Sequence, residues 1–506
     1  MRPLAEFFRA LTDVEVDQLH DSVMALLEEP GMRIENAQIL DALRKKGARI
    51  DSAAEVAHFP RALLEETIEI ARAEERARLA VDPSGVNSPG QLGFSWHTPF
   101  ASRTPPVITS IGGGAPMYYD HQKKANRYAT GEDFLRTVHL AEGIPEVVTV
   151  GNAVHYLREP DGSEVPPKMV AIKGAAAVAL HSSKPGCTSI IDVRQLPYLM
   201  EMGRIVKGSA EAYLRNPIFV NIHDTESPLR VTRPEASIIL EMARQKLPIF
   251  ILPMPMAGIT TPVFPIASAI VGAAEILGVW AAAKAVREDC PVQARCVSGV
   301  LNAATGAACF STPEATLIDL AVAQLFRERY GSRCGTGVGL IDAPAPGPLS
   351  IFERTFKATA TNLAGEPVFP VGIIGGAVVF SIEQVIIDLD IAAYAHQLCQ
   401  GIGGTQLAQS LELIREKGIG GLYMDTEHTA LNFRENLVMP SVMTRLKSTD
   451  VSNAGAHDPV DAAHARCNDI LSRTPMFTVD DTRRRAIDAV VDSAARELTS
   501  IRGALV

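Results

Sequence analysis

The chain has 506 residues, of which 47% are hydrophobic and 21% are charged, as is typical of a folded globular protein. This composition excludes a collagen, a coiled coil and a mostly disordered chain. Lys and Arg number 48 against 58 Asp and Glu, so the formal net charge is −10. Because nucleic-acid binding needs a basic surface, we predict no nucleic-acid partner.

The cysteines are scattered along the chain and form no CxxC pair: Cys187, Cys290, Cys296, Cys309, Cys334, Cys399 and Cys467. This spacing argues against a disulfide framework and a zinc site, and it suits a reducing compartment. The first residues contain no apolar run followed by a small-residue cleavage site. The sequence therefore predicts a cytoplasmic protein without a signal peptide.

One long apolar segment, Val263 to Ala285, has the length of a membrane span. It carries Glu275 near its middle, where a charge would be costly in a membrane. It is also the only run of this kind, and it is rich in Ala and Gly. We therefore predict a closely packed buried helix and no membrane partner.

The chain up to about residue 81 has the pattern of helices, with Asn36 as an N-cap and Pro60 in a first turn. Residues 83–106 are rich in Gly, Pro and Ser, which predicts a loop or short strands. That segment carries the aromatic residues Phe94 and Trp96.

Beyond residue 144, short β-branched runs alternate with helical runs. The predicted strands cover residues 147–152, 187–192, 217–224, 248–255, 292–299, 334–340, 368–376 and 420–425. Near-continuous apolar strands that alternate with helices indicate a parallel sheet covered on both faces. Eight units favour an α/β fold of the TIM type, a closed (β/α)8 barrel. A doubly wound sheet is the alternative, but no GxGxxG motif supports it.

The predicted organisation has three parts. Residues 1–143 form an N-terminal helical extension with a Gly-rich hairpin, and residues 144–440 form the barrel. Residues 441–506 form C-terminal helices packed on the barrel.

Polar residues follow many of the predicted strands, at the edge where barrel enzymes have their active sites. They include His155, Tyr156, Asn221, His223, Asp224, Arg295 and Asp342. Each could instead cap the next helix or bind loop backbone. As a set, they indicate a site for a small polar ligand.

The histidines do not have the spacing of metal ligands. His155, His181, His223 and His428 come from separate segments without an HExxH motif, so we predict no tightly bound metal. No GxSxG motif marks a serine nucleophile. A lyase or metal-dependent hydrolase that uses the strand-end His and carboxylates remains an alternative, as does a non-catalytic binding protein.

Several segments, in the same order along the chain, resemble the trimethylamine methyltransferase family of corrinoid-dependent amine methyltransferases. They are residues 19–51, SIGGGAPMYYD (110–120), 129–147, 253–278, 305–331, 376–402 and HTALNFRENLVMPSVMTRL (428–446). The resemblance spans nearly the whole chain. It implies a TIM-type barrel with an N-terminal helical extension, and a homo-oligomer.

The resemblance also implies a branch of the family. Founding members carry pyrrolysine in the barrel, and this chain has none in the corresponding stretch, 335–348. Of the family's run of Asp and Lys in that stretch, only Asp342 is left, while Glu353 matches a family Glu in the next helix. The chain thus resembles the non-pyrrolysine branch, which is associated with quaternary amines such as glycine betaine.

Such an enzyme moves a methyl group to the Co(I) corrinoid, or cobalamin, of a partner carrier protein. A quaternary nitrogen is already cationic and leaves as a neutral amine. The enzyme therefore needs only to bind the substrate, exclude water from it and orient one methyl group towards the cobalt. We expect catalytic roles for Glu353, Asp342 and His223. Aromatic faces bind such cations, so we expect Phe94, Trp96, Tyr118 and Tyr156 to bind the ammonium group. Polar groups suit a carboxylate, so we expect His155, Asn221 and Arg295 to bind that end of the substrate. The expected contacts to the corrinoid are Gly112, Gly113, Gly114 and His428.

Overall fold

The computed structural model describes residues 8–81, 109–159, 161–219, 221–365, 370–402, 406–443 and 458–499. The N-terminal part contains three helices and a small sheet: α1 (Asp13–Glu28), β1 (Met32–Ile34), α2 (Ala37–Lys45), β2 (Arg49–Asp51), β3 (Val56–His58) and α3 (Arg61–Val81). Asn36 caps α2, as predicted, by accepting hydrogen bonds from the backbone N–H groups of Gln38 and Ile39.

Strands and helices alternate in the central part of the chain. The elements are β4 (Thr109–Ile111), β5 (Met117–Asp120), β6 (Ala125–Tyr128), α4 (Gly131–Glu142), β7 (Val147–Val150), α5 (Pro167–His181), α6 (Leu196–Lys207), α7 (Ala210–Arg215), β8 (Ile222–His223), β9 (Arg230–Val231), α8 (Arg233–Arg244), β10 (Ile249–Ile251), β11 (Met256–Ala257), α9 (Pro265–Val286), β12 (Val292–Arg295), β13 (Gly299–Leu301), β14 (Ala308–Cys309), α10 (Pro313–Leu325), β15 (Cys334–Gly335), α11 (Pro348–Leu363), β16 (Ile373–Ile374), β17 (Val379–Phe380) and α12 (Ile382–Gln400). A 3₁₀ turn (Val193–Gln195) precedes α6, and a π-helical turn (Phe326–Tyr330) extends α10.

Parallel pairing joins most of the central strands. β8, β10, β12 and β15 form one parallel sheet, in the order β15-β12-β10-β8. β4 pairs in parallel with β7. Residues 185–190 fill the place between β7 and β8. Pro185 forms a parallel bridge with Val150, and the Phe219 N–H donates to the Gly186 carbonyl at 2.9 Å.

Residues 370–376 close the ring. The Val371 N–H donates to the carbonyl of Ser110 in β4 at 3.0 Å, and the Gly375 N–H donates to the carbonyl of Ala343, beyond β15, at 2.8 Å. Eight parallel segments therefore surround one axis, with the helices outside. The predicted TIM-type barrel is confirmed.

The barrel begins one strand earlier in the chain than predicted. The first barrel strand is β4, which lies in the part of the chain assigned to the N-terminal extension, so the barrel starts near residue 109 and not at 144. The strand predicted at 420–425 is wrong, because these residues form turns and irregular backbone. β4 has only three residues beside a Gly-rich turn, too few to give a strand pattern, whereas 420–425 has strand-like composition without a neighbouring strand to pair with.

The Gly-rich hairpin is present as β5 and β6, and it also joins the barrel body. β5 pairs in parallel with β17, so the hairpin lies against the loop after the last barrel strand. The remaining helices are α13 (Leu407–Lys417), α14 (Glu427–Asn436), α15 (Pro459–Arg473) and α16 (Asp481–Thr499). α15 packs on α12 and α4, and α16 packs on α5 and α6.

Among the described residues, one helix, α9, is long and apolar enough to cross a membrane by length and composition. Its most apolar window is 83% buried, and it packs against α1, α2, α3, α8 and α10. Glu275 in this helix accepts hydrogen bonds from Thr225, Ser227 and the Leu229 N–H, all in the loop after β8. α9 is thus a closely packed, mostly buried helix, as the sequence predicted.

Candidate functional site

The strand register shows which side chains face the barrel axis. Paired residues in parallel strands point to the same side, and one such row is His223, Ile251, Ala294 and Cys334. This row faces the helices, because His223 Nδ1 lies 2.5 Å from Glu235 Oε1 of α8. Side chains alternate, so the axial face carries Ile222, Phe250, Gln293 and Arg295.

Arg295 brings a cation to the axial side of the sixth barrel strand, and only 3% of the residue is exposed. Burial raises the pKa of the Cys187 thiol, on the third strand, to about 11. The positive charge of Arg295 is close enough to oppose part of this rise. Cys187 therefore stays protonated at neutral pH and is a poor nucleophile.

Asp224 is a candidate that the sequence analysis placed at a strand end without assigning it a role. It follows His223, the last residue of β8, and its side chain is accessible to solvent. Burial raises the pKa of Asp224 to about 6, with a further increase from the negative charge of Glu235 and an opposing effect of His223. Its raised pKa and its place at the mouth of the barrel would be signs of a functional group, and neither can be read from sequence.

His223 and Asn221 belong to the helix-facing side of the same strand. Asn221 Oδ1 accepts a hydrogen bond from the Ile190 N–H at 2.9 Å, and Asn221 Nδ2 lies 3.4 Å from His223 Nδ1. Both residues are buried. These contacts hold the third and fourth strands together and place both residues away from the axial surface, where the predicted catalytic and binding roles would require them.

His155 packs against the Gly-rich turn near the mouth. The Gly114 N–H donates to the Asn152 carbonyl at 2.6 Å, and the His155 N–H donates to the Ala115 carbonyl at 3.0 Å. A Cβ on Gly114 would lie 2.8 Å from the imidazole Cε1. Burial lowers the pKa of His155, so a neutral imidazole lies there at neutral pH.

The other two glycines of the turn differ in what they contact. Gly113 has φ of +128°, and a Cβ there would lie 2.1 Å from Ile373 Cδ1. A Cβ on Gly112 would meet only Cys187 Sγ, at an ordinary 3.6 Å. Backbone conformation and packing thus account for Gly113 and Gly114 without a corrinoid.

Asp342 and Glu353, which the sequence analysis expected to have catalytic roles, lie together, but their oxygens bind backbone. Asp342 accepts hydrogen bonds from the N–H groups of Phe310 and Ser311, at 2.8–3.0 Å. Glu353 Oε2 accepts from the N–H groups of Asp342 and Ala343, both at 2.9 Å, and from Ser311 Oγ. These bonds fix two mouth loops against α11.

The two described tyrosines among the predicted ligands contact protein groups. Arg127 lies over the ring of Tyr118 at 5.3 Å, and burial raises the pKa of the Tyr118 hydroxyl. Tyr156 packs edge-on against Phe134 and donates to Glu159 at 3.3 Å; burial raises its pKa to about 12. Phe94 and Trp96 lie outside the described residues.

His428 lies on α14, in a groove between α13 and α14 that also has Ser410 and Asn432 in its lining. The side chain is exposed. In the described part of the chain, α14 makes no extensive contact with any other element. The structure therefore does not bring His428 together with Gly112, Gly113 and Gly114 as part of one site.

Exposed apolar side chains surround the mouth on the loops after the third, fifth and sixth strands. We define this rim as Ile191, Ile259, Val263, Phe264 and Leu301, which are 38–70% exposed. β11 and β13 pair in parallel beneath it and continue the fifth and sixth strands beyond the barrel. Within the described ranges, no group of three or more His, Cys, Asp or Glu is placed to hold a metal ion.

A family model described as trimethylamine methyltransferase matches residues 101–499. A trimethylamine methyltransferase of Desulfitobacterium hafniense is 22% identical over 91% of this chain and 88% of its own length. A glycine betaine methyltransferase from another strain of that species is 22% identical over 98% of this chain and 99% of its own length.

A trimethylamine methyltransferase of Methanosarcina barkeri is 23% identical over 96% of this chain and 94% of its own. The solved monomethylamine methyltransferase of the same organism aligns over 92% of this chain and 89% of its own, with 11% identity and a TM-score of 0.46. Because the family model covers well over half of the sequence, the chain belongs to the trimethylamine methyltransferase family.

Proposed function

We propose that this methyltransferase takes a methyl group from a betaine-like quaternary amine and passes it to the Co(I) corrinoid of a separate carrier protein. The observation that carries the proposal is a pair of opposite charges at the carboxyl ends of the barrel strands. Asp224 follows the fourth strand and Arg295 ends the sixth strand. A betaine has the same two charges, a quaternary ammonium and a carboxylate.

Each charge has a chemical task. With a pKa of about 6, Asp224 is mostly ionised at neutral pH and attracts the ammonium group. Arg295 provides a planar guanidinium that can bind a carboxylate through two parallel hydrogen bonds. Together they would orient the substrate along one direction in the barrel, which leaves one N-methyl group aimed at the open mouth.

The rest of the mouth suits a reaction in which the amine leaves without a proton transfer. The protonated thiol of Cys187 and the neutral imidazole of His155 do not bring further charge to the site. Excluding water around a cationic nitrogen favours the step in which its charge disappears. Asp342 and Glu353 then act as positioning residues, through the backbone that they bind.

The rim fits the face of a flat, largely apolar macrocycle better than it fits a small polar ligand. Its side chains are large, apolar and exposed beside the open mouth. Ile259, Phe264 and Leu301 would hold a corrinoid presented by the carrier. When bound, the reduced corrinoid supplies the nucleophile that accepts the methyl group.

A direct test measures methyl transfer to free Co(I) cobalamin, followed by its absorbance, with three donors. We expect glycine betaine to react, choline to react poorly because it lacks a carboxylate, and trimethylamine not to react. Arg295→Gln should raise KM for betaine at least tenfold and have a smaller effect on choline. Arg215→Gln, in an exposed ion pair with Glu211 of α7, is the matched control and should change neither.

Transfer from no quaternary amine would contradict the proposal. Thermal shift then separates the alternatives, because a ligand at one hundred times its Kd adds about 2.7 kcal/mol to the free energy of unfolding. Stabilisation by betaine without turnover, in the presence of a competent carrier, would indicate a binding protein. No shift with any amine would point to another barrel enzyme.

A further inference from the structure

The helical hairpin formed by α13 and α14 differs from every other described helical region in its lack of a core. We define the arm as residues 406–439. No residue of the arm is buried. Within the described chain, neither of its helices makes an extensive contact with another element. Beyond the arm, the chain is fixed again, where Asp390 of α12 accepts hydrogen bonds from the N–H groups of Ser441, Val442 and Met443.

The arm carries far more apolar surface than an isolated hairpin tolerates. Nine of its large apolar side chains are exposed, among them Leu407, Leu411, Ile414, Leu422 and Leu431, with exposed fractions from 46% to 110%. Leu407, Leu411 and Ile414 recur at helical spacing and share one face of α13. Contiguous exposed apolar surface of this kind marks an interface.

The helices of the arm are also too short to be stable alone. α13 has 11 residues and α14 has 10. Isolated helices shorter than about 12–15 residues are marginal in water, and they gain their stability from packing. The arm therefore needs a permanent cover.

We propose that the arm is a dimerisation element and that its cover is the arm of a second copy of this chain. The area agrees with this occupant. A buried Leu, Ile or Met side chain corresponds to roughly 100 Å² of apolar surface at about 25 cal/mol per Å². The exposed apolar side chains of the arm then offer on the order of 700 Å², near the roughly 800 Å² that each partner contributes to a stable interface.

The charges of α13, which carries the apolar face of the arm, favour a second copy over a partner of opposite charge. α13 carries Glu412 and Glu416 beside Arg415 and Lys417, so its charges balance. A balanced face can meet itself about a two-fold axis without net repulsion. The carrier protein is a worse occupant, because it must leave after each turnover and would expose the arm again.

Light scattering coupled to size-exclusion chromatography tests the proposal on the full chain. We expect the wild type to have twice the mass of one chain, or a higher even multiple. The double variant Leu411→Glu, Ile414→Glu should halve that mass. The matched control Val263→Glu, Leu301→Glu places the same charges on the rim and should keep the wild-type mass.

A second measurement does not depend on a disruptive variant. Ile414→Cys should form a disulfide-linked dimer under mild oxidation, whereas Val263→Cys on the rim should not. A monomeric wild type at micromolar concentration would overturn the proposal. It would also be overturned by an unchanged mass of the arm variant, or by assembly that occurs only after a corrinoid carrier is added. None of these outcomes depends on which amine is the substrate.

Discussion

The rim and the arm are both exposed and apolar, but they are held in different ways. The rim belongs to loops with strong internal support: the Met256 N–H donates to Thr260 Oγ1 at 2.9 Å, and the Gly258 N–H donates to the Thr261 carbonyl at 2.9 Å. Pairing of β11 with β13 adds to this support. Among the described residues, the arm is held by hydrogen bonds within its own short helices and turns and by an ion pair between Lys417 and Asp425.

This difference separates two kinds of interface. A surface that stays folded without a partner suits an encounter that forms and breaks, such as the proposed docking of a carrier. A surface that needs a partner to stay folded suits a permanent assembly. If this distinction is correct, the barrel body stays folded without the arm, the mouth is rigid, and the mouth carries the chemistry.

The largest effect is expected in the network that supports the barrel body. Arg354 is fully buried, pairs with Asp388 at 3.0 Å and donates to the carbonyls of Val338 and Ile373. Arg354→Met leaves the Asp388 carboxylate buried without its cation, which costs about 3–5 kcal/mol. Calorimetry should show a Tm lower by several degrees.

The comparison is with the arm variant Leu411→Glu, Ile414→Glu. It should leave the Tm of the barrel body nearly unchanged, because within the described ranges the arm makes no extensive contact with the barrel. If the arm variant lowered Tm as much as Arg354→Met, the arm would be part of the barrel body. The distinction between the self-supporting rim and the arm would then be wrong. Arg215→Gln serves again as a control, because exposed ion pairs contribute about 0–1 kcal/mol.

An intermediate effect is expected at the Gly-rich turn. Gly113→Ala forces a positive φ on a residue with a side chain, with a cost of about 1–3 kcal/mol in the free energy of unfolding. Gly112→Ala needs no such conformation and adds a methyl group facing Cys187. Denaturant unfolding should show a loss for Gly113→Ala only, while Gly112→Ala should raise KM by narrowing the barrel. Equal unfolding free energies would mean that the turn is not rigid.

The smallest effect is expected at Asp224, and its signature is pH dependence. The carboxylate is ionised above its pKa of about 6 and protonated below it, so kcat/KM for a quaternary amine should fall as pH drops through 6. Asp224→Asn should lower kcat/KM about 10- to 30-fold at pH 8, which is about 1.4–2 kcal/mol, and should lose that pH dependence. The control Glu226→Gln changes an exposed carboxylate two residues away. An unchanged pH profile in Asp224→Asn would remove Asp224 from the site.

Local patterns predicted some features well because those features depend on near neighbours. The Asn36 cap and the buried helix α9 follow from short-range spacing and composition. The strand β4 was missed because its three residues gain their structure from β7 and from residues 370–371, which are distant in sequence. The false strand at 420–425 has the opposite cause, since strand-like residues without a pairing partner form turns.

The candidate site shows the same division. Strand-end residues could be recognised from alternation, but the direction of each side chain could not. His223 and Asn221 face the helices, whereas their neighbour Asp224 lies just beyond the strand and is exposed. Asp342 and Glu353 were recognised by family resemblance, and only the structure shows that backbone N–H groups engage their oxygens.

The sequence by itself determined the fold class, the family resemblance and the kind of chemistry, because periodicity and ordered motifs persist along the chain. Tertiary structure decided which strand is first, which polar side chains face the helices and which helices lack a core. These properties arise where residues far apart in sequence meet, and a one-residue change in register reverses the face of every side chain in a strand.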